Sequence, residues 1–342
     1  MKILCYTDNH FSEKSSIITK YGTKYTTRLE NQLQSVNWAE NLAVERGCDL
    51  VVCLGDFFDH AHLTDQELTA LKDIVWAKIP HYFLVGNHES EEHDLQYSST
   101  MALASELHTI ISEPTLVTLP EVELAFLPYV VESNRMPLNT VFSAPTDLVR
   151  ILFSHNDLSG IQLGPVVSKS GYAPEELESI CDICLNGHLH NGNAITPRVV
   201  NLGNLTGKDF GEDAAKYSHG IMIIDTAQMK CDYVENPYAF NFYKIDINNK
   251  TDLAKLMNLK TNAVVSVKCK DNLVSETRTL LDQLATVIES RIIVTKDLND
   301  AAETTLDISS LVVDQCAKFA ECCRARLDNS DILEAELAEI LK

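Results

Sequence analysis

Five short clusters of aspartate, asparagine and histidine each follow directly on an apolar run: Asp8-Asn9-His10 after Ile3 to Tyr6, Gly55-Asp56-Phe57-Phe58-Asp59 after Leu50 to Leu54, Gly86-Asn87-His88-Glu89 after Tyr82 to Val85, Ser154-His155 after Ile151 to Phe153, and Gly187-His188-Leu189-His190 after Ile183 to Leu185. In a sheet of an α/β protein the carboxyl ends of strands converge on one crevice, so polar clusters at five strand ends describe a single site assembled from distant sequence. Its side chains are a mixed set of carboxylates, imidazoles and an amide. That set suits Mn²⁺, Fe or Zn²⁺ and is too nitrogen-rich for Mg²⁺ or Ca²⁺. Seven such ligands exceed what one ion takes from protein, whereas two ions sharing a carboxylate would use them all. The glycines before Asp56, Asn87 and His188 permit the tight turns that aim these groups inward.

The elements that must carry the clusters are legible around them. Short apolar runs alternate with helical patterns through the first two-thirds of the chain, which predicts an α/β layered fold. A helix is expected over about Arg28 to Arg46, stopping at Gly47. A second opens on the capping box Thr64-Asp65-Gln66-Glu67 and is expected to run to just before Pro80. Pro174 fits the first turn of a third helix. Further strands are expected near Val199 to Leu202 and Ile221 to Asp225, both in a second sheet. After the polar junction at Asn248 to Asp252 the texture changes. Ala263 to Lys270 (strand), Glu276 to Ser290 (helix) and Arg291 to Lys296 (strand) read as a compact βαβ-like unit, and the remainder reads as amphipathic helices. The division expected is 1–248 catalytic, 249–305 capping, and 306–342 C-terminal helices available for docking a partner.

Composition narrows the class. The 342 residues are 45% hydrophobic and 23% charged, the balance of a globular chain. No signal-like segment opens the sequence and no apolar run reaches the length of a membrane span, so a cytoplasmic location without membrane contact is expected. The ten cysteines are scattered within apolar runs, and Cys181-x-x-Cys184 has no second pair to complete a zinc site, so all read as reduced core residues. Twenty-eight Lys and Arg against 49 Asp and Glu leave a net charge of −21. A protein that grips nucleic acid unaided carries a basic stripe, and none is visible.

The order DxH, GDxxD, GNHE, a lone His and GHxH resembles the calcineurin-like metallophosphoesterase superfamily. That resemblance implies a two-sheet α/β sandwich flanked by helices and two divalent metal ions, Mn²⁺ being the expected pair. Carried over by position, Asp8, His10 and His190 would hold the first metal, Asp56 would bridge, and Asn87, His155 and His188 would hold the second. His88 would be the catalytic histidine that binds no metal, oriented by Asp59. Within the superfamily the chain is most similar to the nuclease subunit of the SbcC–SbcD complex and its phage and eukaryotic recombination-repair relatives. The points of likeness are the aromatic pair inside Gly55 to Asp59, the segment Leu124 to Tyr129, the stretch Asn201 to Thr206 continuing to Phe210-Gly211-Glu212, and the small appended unit. The implied activity is exo- or endonucleolytic hydrolysis of DNA in repair, recombination or replication. The implied partners are DNA, an SMC-like coiled-coil ATPase and a second copy of the chain, the dimer formed by catalytic-domain helices with Ser98 to Ile111 contributing. A phosphatase or phosphodiesterase acting on small molecules or phosphoproteins is the competing reading. His60, His62, Asn156, Asp157, Arg198 and Lys208 lie near the motifs and stay unassigned.

Overall fold

In the computed structural model, residues 1–91, 94–142, 146–163 and 166–295 are described. Two six-stranded sheets lie face to face. The first runs in the order Lys230–Glu235, Gly220–Asp225, Lys2–Tyr6, Leu50–Cys53, His81–Leu84, His108–Ile111. The second runs Asn193–Ala194, Val199–Asn201, Ile183–Asn186, Val149–Ser154, Val122–Leu127, Thr115–Thr118. The strands that precede the five polar clusters are parallel to their neighbours within each sheet: Lys2–Tyr6 with Leu50–Cys53, that strand with His81–Leu84, and Val149–Ser154 with Ile183–Asn186. Parallel pairing puts the carboxyl ends of these strands on one edge, and that edge is where every cluster emerges.

The central strands are apolar at successive positions because both their faces are covered. Ile3, Cys5, Leu50, Val52 and Leu84 point into the space between the sheets, against Leu124, Phe126, Ile151, Phe153 and Leu185. Leu4, Tyr6, Val51, Cys53 and Phe83 point the other way, onto Leu29, Val36, Ala39 and Ala43 of the helix Thr27–Glu45. Outside the second sheet, Ala125, Leu152 and Cys184 pack on Leu177 of the helix Pro174–Ile180, whose first residue is the proline.

Several expectations need correction. The capping box at Thr64 forms, but the helix spans only Asp65–Ala70, tightens into a 3-10 turn at Leu71–Asp73 and then extends. Side chains of the long helix take over the donors that a continuing helix would use: Val75 N–H donates to Asn37 Oδ1 (2.7 Å) and Ala77 N–H to Glu40 Oε2 (3.0 Å). Gly220–Asp225 pairs antiparallel with Lys2–Tyr6 and so joins the first sheet, not the second. Ser98 to Ile111 is no helix. A 3-10 turn at Ser99–Leu103 leads into the edge strand His108–Ile111, whose β-branched Thr109, Ile110 and Ile111 suit a strand beside His81–Leu84.

A third sheet of three strands follows, in the order Asn241–Ile247, Ala263–Lys270, Val287–Thr295. It has its own core of Ile245, Ile247, Val265, Val267, Leu273 and Leu281. Its first strand begins ahead of residue 249, and the helix inside it ends at Gln283 rather than Ser290, yielding to the strand at Val287. Met1–Val294 forms one compact unit. The expected helices at 306–342 lie outside the described residues.

One buried polar pair braces the back of the first sheet. Glu40 and His81 are each about 1% exposed, and His81 Nε2 lies 2.9 Å from the same Glu40 Oε2 that receives Ala77 N–H. Glu40→Ala would leave Ala77 N–H and His81 Nε2 buried without this acceptor, while His81 Nδ1 keeps the Ile79 carbonyl (2.8 Å). The expected cost is about 3 kcal/mol of folding stability, read by urea unfolding of the full chain, with metal content unchanged. A loss below about 1 kcal/mol would show that the pair contributes little.

Candidate metal centre

The chain turns sharply at three of the five strand ends. Asp8, His10, Asp56 and His188 all adopt left-handed backbone, with φ of 50°, 47°, 48° and 73°. Such conformations cost of order 1–3 kcal/mol each for a residue with a side chain and collect where function over-determines the backbone. Gly55 permits the tight turn expected of it, but the motif glycines also meet a second need. Gly86 is not left-handed; a Cβ there would lie 2.1 Å from Asp56 Oδ1. Gly55 is left-handed, and its Cβ would also lie 2.4 Å from His155 Nδ1. Two loops can therefore approach only because these positions carry no side chain.

The seven expected ligands come together in two groups. In the first, His10 Nε2 and His190 Nε2 stand 2.9 Å apart, with Asp8 Oδ1 at 3.8 and 4.0 Å from them. In the second, Asn87 Oδ1 lies 2.9 Å from His188 Nδ1 and 3.3 Å from His155 Nε2, which is itself 3.2 Å from Asp56 Oδ2. Asp56 falls in a cluster with His155 and His188 and also in one with His10 and His88. It is the carboxylate common to both sides. The backbone N–H of His88 donates to its Oδ1 (2.9 Å).

The outer nitrogens decide what the inner ones can do. His190 Nδ1 faces Glu212 Oε1 (2.9 Å), His188 Nε2 faces Asp157 Oδ1 (3.1 Å), His155 Nδ1 faces the Leu54 carbonyl (2.7 Å), and His10 Nδ1 faces Asp59 Oδ1 (3.0 Å). These partners are acceptors, so each outer nitrogen carries a proton and the inner nitrogen presents a lone pair whenever the ring is neutral; at His10 Nδ1 the Lys208 Nζ also approaches, at 3.2 Å. With neutral rings His10 and His190, and likewise Asn87 and His188, would face lone pair to lone pair at 2.9 Å, so either a proton or a cation lies between each pair. Asp8 Oδ1 adds a buried carboxylate oxygen with no hydrogen bond. This donor set fits two divalent cations, the first among Asp8, His10 and His190, the second among Asn87, His155 and His188, and Asp56 between them.

His88 stands at the rim with its side chain 37% exposed, its ring edge-on to that of His10 at 4.7 Å. Its Nδ1 lies 3.3 Å from the Asp59 carbonyl and 3.6 Å from Asp59 Oδ1. That same carboxylate is closer to His10, and closer still to Lys208 Nζ at 2.7 Å. Lys208, Glu212 and Asp157 reach the centre only through the fold. Glu89 is a further such residue. Buried inside the third motif, it receives the N–H groups of Phe58 (3.0 Å) and Gly86 (2.8 Å) and so ties the second motif to the third. His60 and His62 turn away instead, to Glu67 (2.9 Å) and Glu91 (2.7 Å). Asn156 fastens the fourth strand end through the Leu127 and Pro128 carbonyls (both 3.1 Å).

The sequence matches the family model of the calcineurin-like phosphoesterases over residues 1–192, more than half of the chain. The chain belongs to this family. Among solved structures it is similar to a dimetal phosphatase from Danio rerio, at 12% identity and a TM-score of 0.37, with 65% of this chain and 91% of that one covered. No curated protein matches it in sequence. The phosphoesterase is thus a metal-dependent hydrolase whose family uses two divalent metals.

Charge is distributed unevenly among the ligands of the metal-free phosphoesterase. Burial lowers the pKa of His10 to about 4, only partly offset by its hydrogen bond to Asp59, so this ring is neutral and ready to ligate. Burial also opposes charge on His155, but Asp56 beside it prevails and lifts the pKa to about 9. At His190 burial is likewise outweighed, here by Glu212 and Asp8, and the pKa rises. A metal must displace these protons. Loading the centre near pH 7 is therefore expected to release protons, and affinity at the second site should rise about tenfold per pH unit up to about pH 9. Calorimetry in buffers of different ionisation heat reads this directly. Metal uptake at pH 7 without proton release would contradict the assignment of His155.

Proposed function

We propose that this phosphoesterase hydrolyses phosphodiester bonds in DNA, with two divalent cations, Mn²⁺ being the expected pair. The observation that carries the reading is the position of His88, part-exposed at the rim and hydrogen-bonded through its backbone to Asp56, which clusters with His155 and His188 on one side and with His10 and His88 on the other. Bound cations at such a centre supply Lewis acidity to phosphoryl oxygens and a hydroxide at neutral pH. The protein's own part is to present His88, which touches no substrate-excluding core and can hand a proton to the departing oxygen, with Asp59 at its Nδ1 holding the ring.

What favours a long polyanion over a small phosphate is the open cleft of about 620 Å³ that runs past Asp59, with Lys14, Arg28 and Lys208 among its walls. Glu13 and Asp209 face the same cleft, so its charge is mixed. With a net charge of −21 the chain has little electrostatic grip of its own. An SMC-like ATPase partner that supplies the grip would reconcile an acidic nuclease with a polyanionic substrate, and a second copy of the chain would extend the same surface. The acidic charge is also what favours the second reading, a phosphatase or phosphodiesterase for small molecules or phosphoproteins.

Purified protein with Mn²⁺, offered linear duplex DNA, single strands, an aryl phosphodiester and an aryl phosphate monoester, separates the two. Cleavage of DNA well ahead of the monoester supports the nuclease; turnover of the monoester alone rejects it. His88→Ala should retain both metals and lose about 10²–10⁴-fold in turnover, measured by elemental analysis beside single-turnover cleavage. Loss of a metal from that variant would make His88 a ligand instead. Deleting the residues after Thr305 should leave aryl phosphodiester hydrolysis intact and abolish association with the ATPase, and co-purification at unchanged affinity would reject the docking role.

A further inference from the structure

The two carboxylates that orient the first-metal histidines are both held by one residue. Lys208 N–H donates to Glu212 Oε2 (2.7 Å), and Glu212 Oε1 faces His190 Nδ1 (2.9 Å). Lys208 Nζ donates to Asp59 Oδ1 (2.7 Å), which is 3.0 Å from His10 Nδ1. His10 and His190 thus hang from the same short segment, one through the side chain of Lys208 and one through its backbone. The second-metal histidines are held quite differently, by Asp157 and the Leu54 carbonyl.

The same segment is anchored on the first strand of the third sheet and on Phe240, the residue just before it. Gly207 N–H donates to the Phe240 carbonyl (3.2 Å) and Ala214 N–H to the Phe242 carbonyl (2.9 Å). Between these two attachments Phe210 is buried with Ile18, Phe240, Phe242 and Val264. Its ring meets Phe242 edge-on at 5.2 Å, and the Arg291 guanidinium lies 4.3 Å from its centre. A displacement of this sheet must move Phe210, and with it Lys208 and Glu212.

We propose that Lys208 is a positioning residue for the first metal, and that Gly207–Ala214 makes the affinity of that metal, and not of the second, depend on the packing of the third sheet. The inference rests on the two-metal reading of the centre. It concerns how this chain distributes control between its metals: the second site is built within the sandwich, and the first is completed by a segment whose anchor lies outside it.

Calorimetric titration of the full chain with Mn²⁺ tests this. The unaltered protein should take up two equivalents. Lys208→Met and Phe210→Leu should each weaken one equivalent about 10- to 100-fold, the range expected when the partner of a ligating histidine is disturbed, and leave the other unchanged. Lys208→Arg, which keeps a cation near Asp59, should recover part of the loss. Asp157→Asn should weaken the opposite equivalent, so combining it with Lys208→Met should weaken both. Retention of one tight equivalent in each single variant also reports that the protein is folded. The inference is overturned if Lys208→Met leaves both affinities as they were, if both fall together, or if the double variant still holds one tight ion. Uptake of fewer than two equivalents by the unaltered protein would instead overturn the two-metal reading, and this inference with it.

Discussion

Asp8 and Asp56 bring negative charge into the protein interior at the ends of neighbouring strands, and Glu89 adds a third carboxyl group buried among them. Buried charge of one sign is costly unless it is matched. The protein answers in part with hydrogen bonds. Asp8 Oδ2 receives Thr7 Oγ1 (2.6 Å) and the His188 N–H (3.0 Å), and Asp56 Oδ1 receives the His88 N–H. These bonds join the first motif to the fifth and the second to the third, so the charge that has to be neutralised also fastens the loops that carry it. Burial together with the neighbouring Asp56 lifts Glu89 to a pKa of about 7, whereas Asp56, despite its burial, is held well below the usual carboxylate range by His155 and further histidines. The remaining neutralisation falls to divalent cations, towards which the inner nitrogens of four imidazoles are turned.

Everything else in the fold serves that demand. Parallel strands buried on both faces bring five loops to one edge, and the left-handed turns at Asp8, His10, Asp56 and His188 point short side chains back across it. Such turns survive because the sheets beneath them are packed on both sides. The strain is local, the support is extensive, and the ligands gain a geometry that a relaxed loop would not hold.

The sandwich and the convergence of the five motifs on one edge were legible in the sequence because each motif follows an apolar run, so the residue pattern alone places polar groups at strand ends. The helix Thr27–Glu45 was equally clear, stopped as it is at Gly47. What could not be read depends on contacts between distant segments. Nothing in the local pattern of Asp65 to Ile79 announces that Asn37 and Glu40 will capture the backbone donors of Val75 and Ala77 and end the helix early. Nothing local to Ser98 to Ile111 announces that the edge of the first sheet claims its second half. Lys208, Glu212 and Asp157 gain a role only when their loops fold over the histidines. A carboxylate near a histidine in space leaves no signature in a single sequence, and the position of Asp59 nearer to His10 and Lys208 than to His88 is legible only in three dimensions.

The account stands on the claim that Asp56 lies between two metal ions. Anomalous diffraction from crystals grown with Mn²⁺ measures this without reference to activity. Two peaks about 3.5–4 Å apart are predicted on either side of Asp56, one among Asp8, His10 and His190 and the other among Asn87, His155 and His188. A single peak, or a pair that leaves Asp56 outside the coordination of either ion, would contradict it.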